Sequence, residues 1–218
     1  MKPQPDWSAA VEHLSAADPK LAALIGEVGP CTLEIPHHFS IFYSLARSIA
    51  YQQLAGSAAQ AIFGRVEALF PKGRMTPKRL LELDDAVLRA AGLSQNKLAA
   101  LRDLAAKCLD GTVPAKRKLA AMADEEIIER ISQVRGIGRW TVEMLLIFRL
   151  GRPNVLPVDD YGVRKGMQRL YHLRELPNKA AMRRRARKWE PWCSVASWYL
   201  WRCAELPQGG KAAAKKRP

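Results

Sequence analysis

Between Ile127 and Leu150 two helical hydrophobic patterns meet across a turn of five residues (IIERISQVRGIGRWTVEMLLIFRL), and this stretch restricts the fold more than any other. Ile127, Ile128 and Ile131 mark the first helix, with Asp124 placed to cap it and Glu125 and Glu126 favourable in its first turn. Trp140 to Leu150 mark the second. Val134, Arg135, Gly136, Ile137 and Gly138 are enough only to reverse the chain, so an αα-hairpin is expected. The two glycines allow positive φ and carry no side chain to hold a ligand away from the backbone. The amides of Gly136, Gly138 and the following turn are then expected to point outward at a helix N-terminus, where the dipole favours an anion, while Ile137 plugs the space between the helices. A Gly-x-Gly turn alone can need its glycines only for geometry. Here Arg135 and Arg139 flank it, in a chain with 35 Lys and Arg against 21 Asp and Glu and a formal net charge of +14. Together these favour a phosphate diester held through backbone amides, without base preference.

Elsewhere apolar residues recur at helical spacing and strand signals are scarce, so the expected fold class is all-α. One stretch runs from Leu45 through Ile49, Ala58, Ile62 and Val66 to Leu69; another covers Leu80 to Leu88 and closes at Gly92; a third covers Leu98 to Leu109 and closes at Gly111. A helix is expected from near Asp160 to Tyr171, another capped by Asn178, and a last one with Pro191 in its first turn, ending near Ala204. Cys31 to Ile35 reads as an extended linker and Gln208 to Pro218 as a disordered basic tail, able to touch phosphates or simply to aid solubility. No apolar run is long enough to span a membrane, and Met1 to Trp7 lack the apolar core of a signal peptide, so a cytoplasmic protein is expected. The cysteines at 31, 108, 193 and 203 are too scattered for a zinc site or a disulfide framework, and buried thiols are expected.

Two further features carry chemistry. Asp159 and Asp160 stand side by side before a helix; on its own such a pair is an N-cap. Six tryptophans are many for 218 residues, and Trp189, Trp192, Trp198 and Trp201 crowd the last helices, where aromatics at helical spacing ordinarily form core.

Four blocks in order, IAYQQLAGSAAQAIFGRV, VRGIGRWTVEMLLIF, LPVDDYGVRKGMQRLY and RKWEPWCSVASWYLWR, make the chain resemble the helix-hairpin-helix (HhH-GPD) DNA glycosylase superfamily over roughly residues 40 to 205. Within it the chain is similar to the bacterial inducible 3-methyladenine DNA glycosylase II family, in a compact form without that family's N-terminal β-domain. The resemblance implies two helical subdomains, about 46–155 and about 1–45 plus 156–205, with the active-site cleft between them and 206–218 as tail. It implies a monomer that acts on duplex DNA and flips out damaged, alkylated bases. The essential carboxylate falls on Asp160, with Asp159 as the fallback and a capping partner. Trp140, Trp201 and Tyr161 match aromatics of the base pocket, and Met144 stands where the family can have a pocket tyrosine. Such faces suit cationic bases such as 3-methyladenine. The wedge that fills the vacated stack falls on Gln53 or Leu54, beside Gln52. Lyase members carry a lysine nucleophile where this chain has Trp140, so a monofunctional, water-using enzyme is implied. No iron–sulfur cluster or other cofactor is expected; a monovalent ion at the hairpin is compatible with the family. Two alternatives stay open: a hairpin module that only holds DNA, and a glycosylase for deaminated or oxidised bases.

Overall fold

The structure, a computed structural model, describes residues 4–207. Among the described residues every regular element is a helix and none is a strand, as the sequence pattern predicts. The helices are α1 (Ser8–Ala17), α2 (Pro19–Val28), α3 (Ile41–Tyr51), α4 (Gly56–Ala68), α5 (Pro77–Glu82), α6 (Asp85–Ala90), α7 (Gln95–Leu109), α8 (Lys116–Leu119), α9 (Asp124–Ile131), α10 (Arg139–Leu145), α11 (Tyr161–Tyr171), α12 (Lys179–Ala186) and α13 (Cys193–Glu205). They fall into two compact units, residues 36–150 and residues 1–35 with 151–218. The expected tail lies outside the described residues except for Leu206 and Pro207.

In the unit 36–150, α3 packs on α4, α7 and α10, and α5 and α6 pack on α7. Of the apolar positions that suggest helices, Leu45, Ile49, Val66, Leu80, Leu88, Leu98, Leu101 and Leu104 are buried in this core, whereas Ala58, Val87 and Leu109 are exposed. The stretch from Leu45 to Leu69 is two helices rather than one. Gln52 leaves α3 with extended backbone (φ −56°, ψ 135°) and Gln53 is left-handed (φ 56°), so the ladder breaks before Gly56. The stretch closing at Gly92 is likewise split, with Asp84 capping α6 through the Ala86 amide. Asp124 does not cap α9; Ala123 holds the cap position and Asp124 is the first helical residue, where its charge faces the positive end of the helix. Beyond Leu145 the second hairpin helix widens into a π turn over Leu146–Leu150.

In the other unit, α11 lies against α13, α2 packs on both, and α1 packs on α2. The boundaries differ from the expected 46 and 155. At the first, α3 has already joined the core of residues 36–150 from Ile41 onward. At the second, the chain after Gly151 is tied to α13: the Ser194 hydroxyl donates to Arg152 O (2.6 Å) and accepts from Val155 N (3.0 Å), and the Ser194 amide donates to Pro153 O (2.9 Å). That loop closes the first turn of α13, which begins at Cys193 rather than at Pro191. Burial raises the Cys193 thiol to about 12 and the half-buried Cys31 thiol to about 11, as apolar packing predicts.

One buried carboxylate organises this unit. Asp18 is 1 % exposed; Oδ1 caps α2 by accepting from the Lys20 and Leu21 amides, and Oδ2 accepts from Trp189 Nε1 (3.0 Å), Lys188 Nζ (3.0 Å) and the Tyr171 hydroxyl. Burial pushes its pKa up, but the hydrogen bonds from Tyr171, Trp189 and Lys188 outweigh it and hold the carboxyl below its ordinary range. A depressed folded pKa stabilises the native state above the unfolded value of about 3.9, and that stabilisation is lost as pH falls through the folded value. Asp18→Asn should therefore lower the melting temperature most near neutral pH, and the gap to wild type should close below pH about 4. Melting curves from about pH 2 to 7, which run from below to above the ordinary carboxylate value, check this.

Candidate active site

Asp160 is a buried acid at the start of a helix. It is 8 % exposed and caps α11, its Oδ1 accepting from the Val163 amide at 2.7 Å. The same oxygen accepts from Trp201 Nε1, also at 2.7 Å. Two donors on one oxygen, each fixed to a helix, hold the carboxylate plane against rotation. The indole reaches it because α11 carries glycine where the helices meet. A Cβ on Gly162 would stand 2.7 Å from Trp201 Cδ1, and one on Gly166 would stand 2.0 Å from the Leu200 carbonyl oxygen. Asp159, one residue earlier, is half exposed and paired with Lys179 Nζ at 2.6 Å. The capping role expected of it belongs to Asp160, and Asp159 has only its surface pair. Tyr161 is 66 % exposed.

The hairpin belongs to the other unit and runs from α9 to α10. Gly136 is left-handed (φ 76°), as anticipated, whereas Gly138 is not (φ −99°). Gly138 instead serves through the space around it: no heavy atom lies within 4 Å of where its Cβ would be. It occupies the N-cap of α10, and no side chain caps that first turn. A helix end of this kind presents N–H groups to an external acceptor such as phosphate. Ile137 is buried, so only its backbone can meet a ligand, and its amide is taken by Val134 O at 3.0 Å. The Arg135 amide is taken by Asp103 Oδ2 at 2.7 Å, leaving its guanidinium on the surface, 3.4 Å from Asn96 Oδ1. Arg139 is held by Glu125 through both guanidinium nitrogens and lies 3.6 Å from the buried Glu143. Bonding to Glu125 raises its pKa. Of the two arginines expected at phosphate, Arg135 is thus the more available.

Gln52 ties this hairpin to the turn after α3: its Nε2 donates to Gly136 O at 2.8 Å. Gln53 and Leu54 follow on the exposed side of the same turn, Gln53 with its left-handed backbone and Leu54 38 % exposed. Beside the turn is an open cavity of about 480 Å³ lined by Arg47, Ser48, Tyr51, Gln52, Gln53, Gly136, Trp140, Thr141 and Met144. Trp140 is 46 % exposed there, a large apolar surface left to solvent. The structure thus brings Gln52, Gln53 and Gly136, expected at DNA, and Trp140 and Met144, expected at the base, to one cavity.

Residues 46–191 match the model of the HhH-GPD superfamily of base excision DNA repair proteins. The chain belongs to this superfamily. A DNA-3-methyladenine glycosylase of Schizosaccharomyces pombe is 36% identical over 94% of this chain and 91% of its own. The solved structure of a 3-methyladenine DNA glycosylase from that yeast in complex with abasic DNA superposes with a TM-score of 0.81 at 35% identity, covering 94% of this chain and all of that one. A DNA-3-methyladenine glycosidase of Bacillus halodurans gives a TM-score of 0.84 at 33% identity, over 93% and 92% of the two chains.

As an HhH-GPD chain, the protein holds site features that its sequence pattern did not reveal. Arg47 and Tyr51 enter the cavity from α3, where they look like ordinary helical residues. Asp103 supports the hairpin from α7, and Glu143 is 3 % exposed beneath Arg139. Gly162 and Gly166 did leave a signal, since two glycines four apart inside a helix mark a close approach. Among the described residues no group of His, Cys, Asp and Glu could hold a metal ion, and no helix is long and apolar enough to cross a membrane.

Proposed function

We propose that this protein is a monofunctional DNA glycosylase of base excision repair that hydrolyses the N-glycosidic bond of alkylated bases flipped out of duplex DNA. The observation that carries this reading is Asp160, a buried carboxylate held at one oxygen by Val163 N and Trp201 Nε1. Breaking the bond builds positive charge on the deoxyribose, and a fixed anion stabilises that charge without having to reorganise. The same carboxylate can orient or deprotonate the attacking water. Trp201 has a positioning role through its N–H as well as a stacking face, and Tyr161, exposed beside the carboxylate, offers a second face.

The cavity around Trp140 and Met144 takes the flipped base, and Gln53 or Leu54 fills the gap left in the stack. The α10 N-terminus, with Gly136, Gly138 and Arg135, holds the phosphate backbone. The scheme uses a carboxylate, water and backbone amides, so it needs no cofactor. The reading takes the protein to act on DNA as a monomer, in the cytoplasm. Trp140 stands where lyase members have their lysine and cannot form a Schiff base, so strand cleavage is not part of the activity. With duplexes containing 3-methyladenine or 7-methylguanine, free base should be released and the strand left intact. Borohydride treatment should trap no covalent complex; a trapped complex would refute the monofunctional assignment.

A further inference from the structure

The cavity that holds Trp140 also has a cationic wall. The Arg47 guanidinium lies 4.0 Å from the centroid of the Tyr51 ring, so the aromatic face contributed by α3 already carries a cation. Arg47, Ser48 and Met144 line in addition a neighbouring cavity of about 260 Å³, whose wall includes Arg149. Among the described residues no carboxylate lines either cavity. Among the described residues Arg47 has no ion pair, so its charge is balanced by the ring and by solvent. A pocket meant only to stack a positively charged base gains nothing from such a residue, because like charges at close range repel.

We propose that Arg47 is a specificity-determining residue which contacts the departing base and extends the pocket to neutral lesions. This rests on the reading that the cavity takes the flipped base. The two lesion classes differ in where the electrons go. When the bond between C1′ and N9 of a cationic alkylpurine breaks, the electron pair cancels the positive charge and a neutral base leaves. Water adds to C1′ and its proton goes to solvent. When the base is neutral, the same pair makes it an anion, which ends by taking the proton of the water that added to C1′. A guanidinium at the ring edge donates hydrogen bonds to that developing anion and remains protonated throughout. For the cationic base it is instead a repulsive neighbour in the bound state. Arg47 thereby supplies the leaving-group help that the aromatic faces cannot give.

The test compares single-turnover release from duplexes with one 7-methylguanine (cationic) and one hypoxanthine (neutral), for the wild type, Arg47→Met and Arg47→Lys. Melting temperatures confirm that each variant is folded. Arg47→Met should slow hypoxanthine release about a hundredfold, the loss typical of one charged donor to a developing anion. It should also speed 7-methylguanine release by about fivefold at subsaturating enzyme, as the repulsion is relieved. Arg47→Lys, which keeps charge but not the planar fork, should fall between on hypoxanthine. If both rates fall together so that their ratio is unaltered, Arg47 is a phosphate contact or a packing residue and the inference is wrong. Wild-type enzyme that releases 7-methylguanine and no hypoxanthine also overturns it, leaving the function above intact. Release of neither base overturns the inference together with the function it rests on.

Discussion

Asp160→Asn is expected to lower base release from methylated duplex DNA about a thousandfold, while folding and DNA binding persist. The substitution is nearly isosteric, and the amide oxygen of asparagine can still accept from Val163 N and Trp201 Nε1. Asparagine is as good an N-cap as aspartate, so α11 loses only the charge at its positive end, worth about 0.3–1 kcal/mol. What disappears is the anion available to a cationic sugar. Asp159→Asn is the matched control: it removes a half-exposed ion pair with Lys179, a loss of under about 1 kcal/mol, and should leave release within a few-fold of wild type. Single-turnover release, duplex binding and melting temperature, measured on all three proteins, separate the possibilities. Full activity in Asp160→Asn with lost activity in Asp159→Asn would reverse the assignment. Duplex binding without release, in the wild type itself, would leave a hairpin module that only holds DNA.

The contrast between those two acids shows what a sequence can and cannot convey. The hairpin was legible because its chemistry is local: five residues, two glycines and the helical periods on each side fix a turn whatever surrounds it. The α11 start was legible for the same reason, since an acid pair before a helical pattern marks an N-cap. Gln53 hid the break between α3 and α4 because a non-glycine residue at positive φ has no sequence signature, and the helical pattern continues in period across it. Arg47 and Glu143 are invisible for a different reason. Whether an arginine lines a cavity or an acid sits buried beneath another arginine is decided by residues far along the chain, and neither helix shows it in its own pattern. Gly138 differs from expectation in one respect: glycine there leaves room at the hairpin surface and its backbone is not left-handed.

Gly166→Ala should cost about 3 kcal/mol or more of stability, although alanine is intrinsically the better helix former by about 1 kcal/mol. The added Cβ would lie 2.0 Å from the Leu200 carbonyl oxygen, 2.6 Å from its carbonyl carbon and 2.9 Å from its Cα. These are backbone atoms of a helix, so no rotamer change relieves the overlap and α11 and α13 must separate. At about 2–4 °C per kcal/mol for a chain of this size, the melting temperature should drop by roughly 10 °C. Gly64→Ala is the control, since nothing lies within 4 Å of its Cβ position in the middle of α4, and there the change should stabilise by about 0.5–1 kcal/mol. A Gly166→Ala protein that melts with the wild type would show that the two helices do not pack this closely. Gly162→Ala should behave differently again, because its Cβ would meet side chains: Trp201 Cδ1 at 2.7 Å, Trp201 Nε1 at 3.1 Å and Asp160 Oδ1 at 3.2 Å. An indole can swing away where a backbone cannot, so less stability is lost and the hydrogen bond to Asp160 is lost instead. Base release should then fall by more than the melting temperature accounts for, which ties the packing of α11 on α13 directly to the aim of the Asp160 carboxylate.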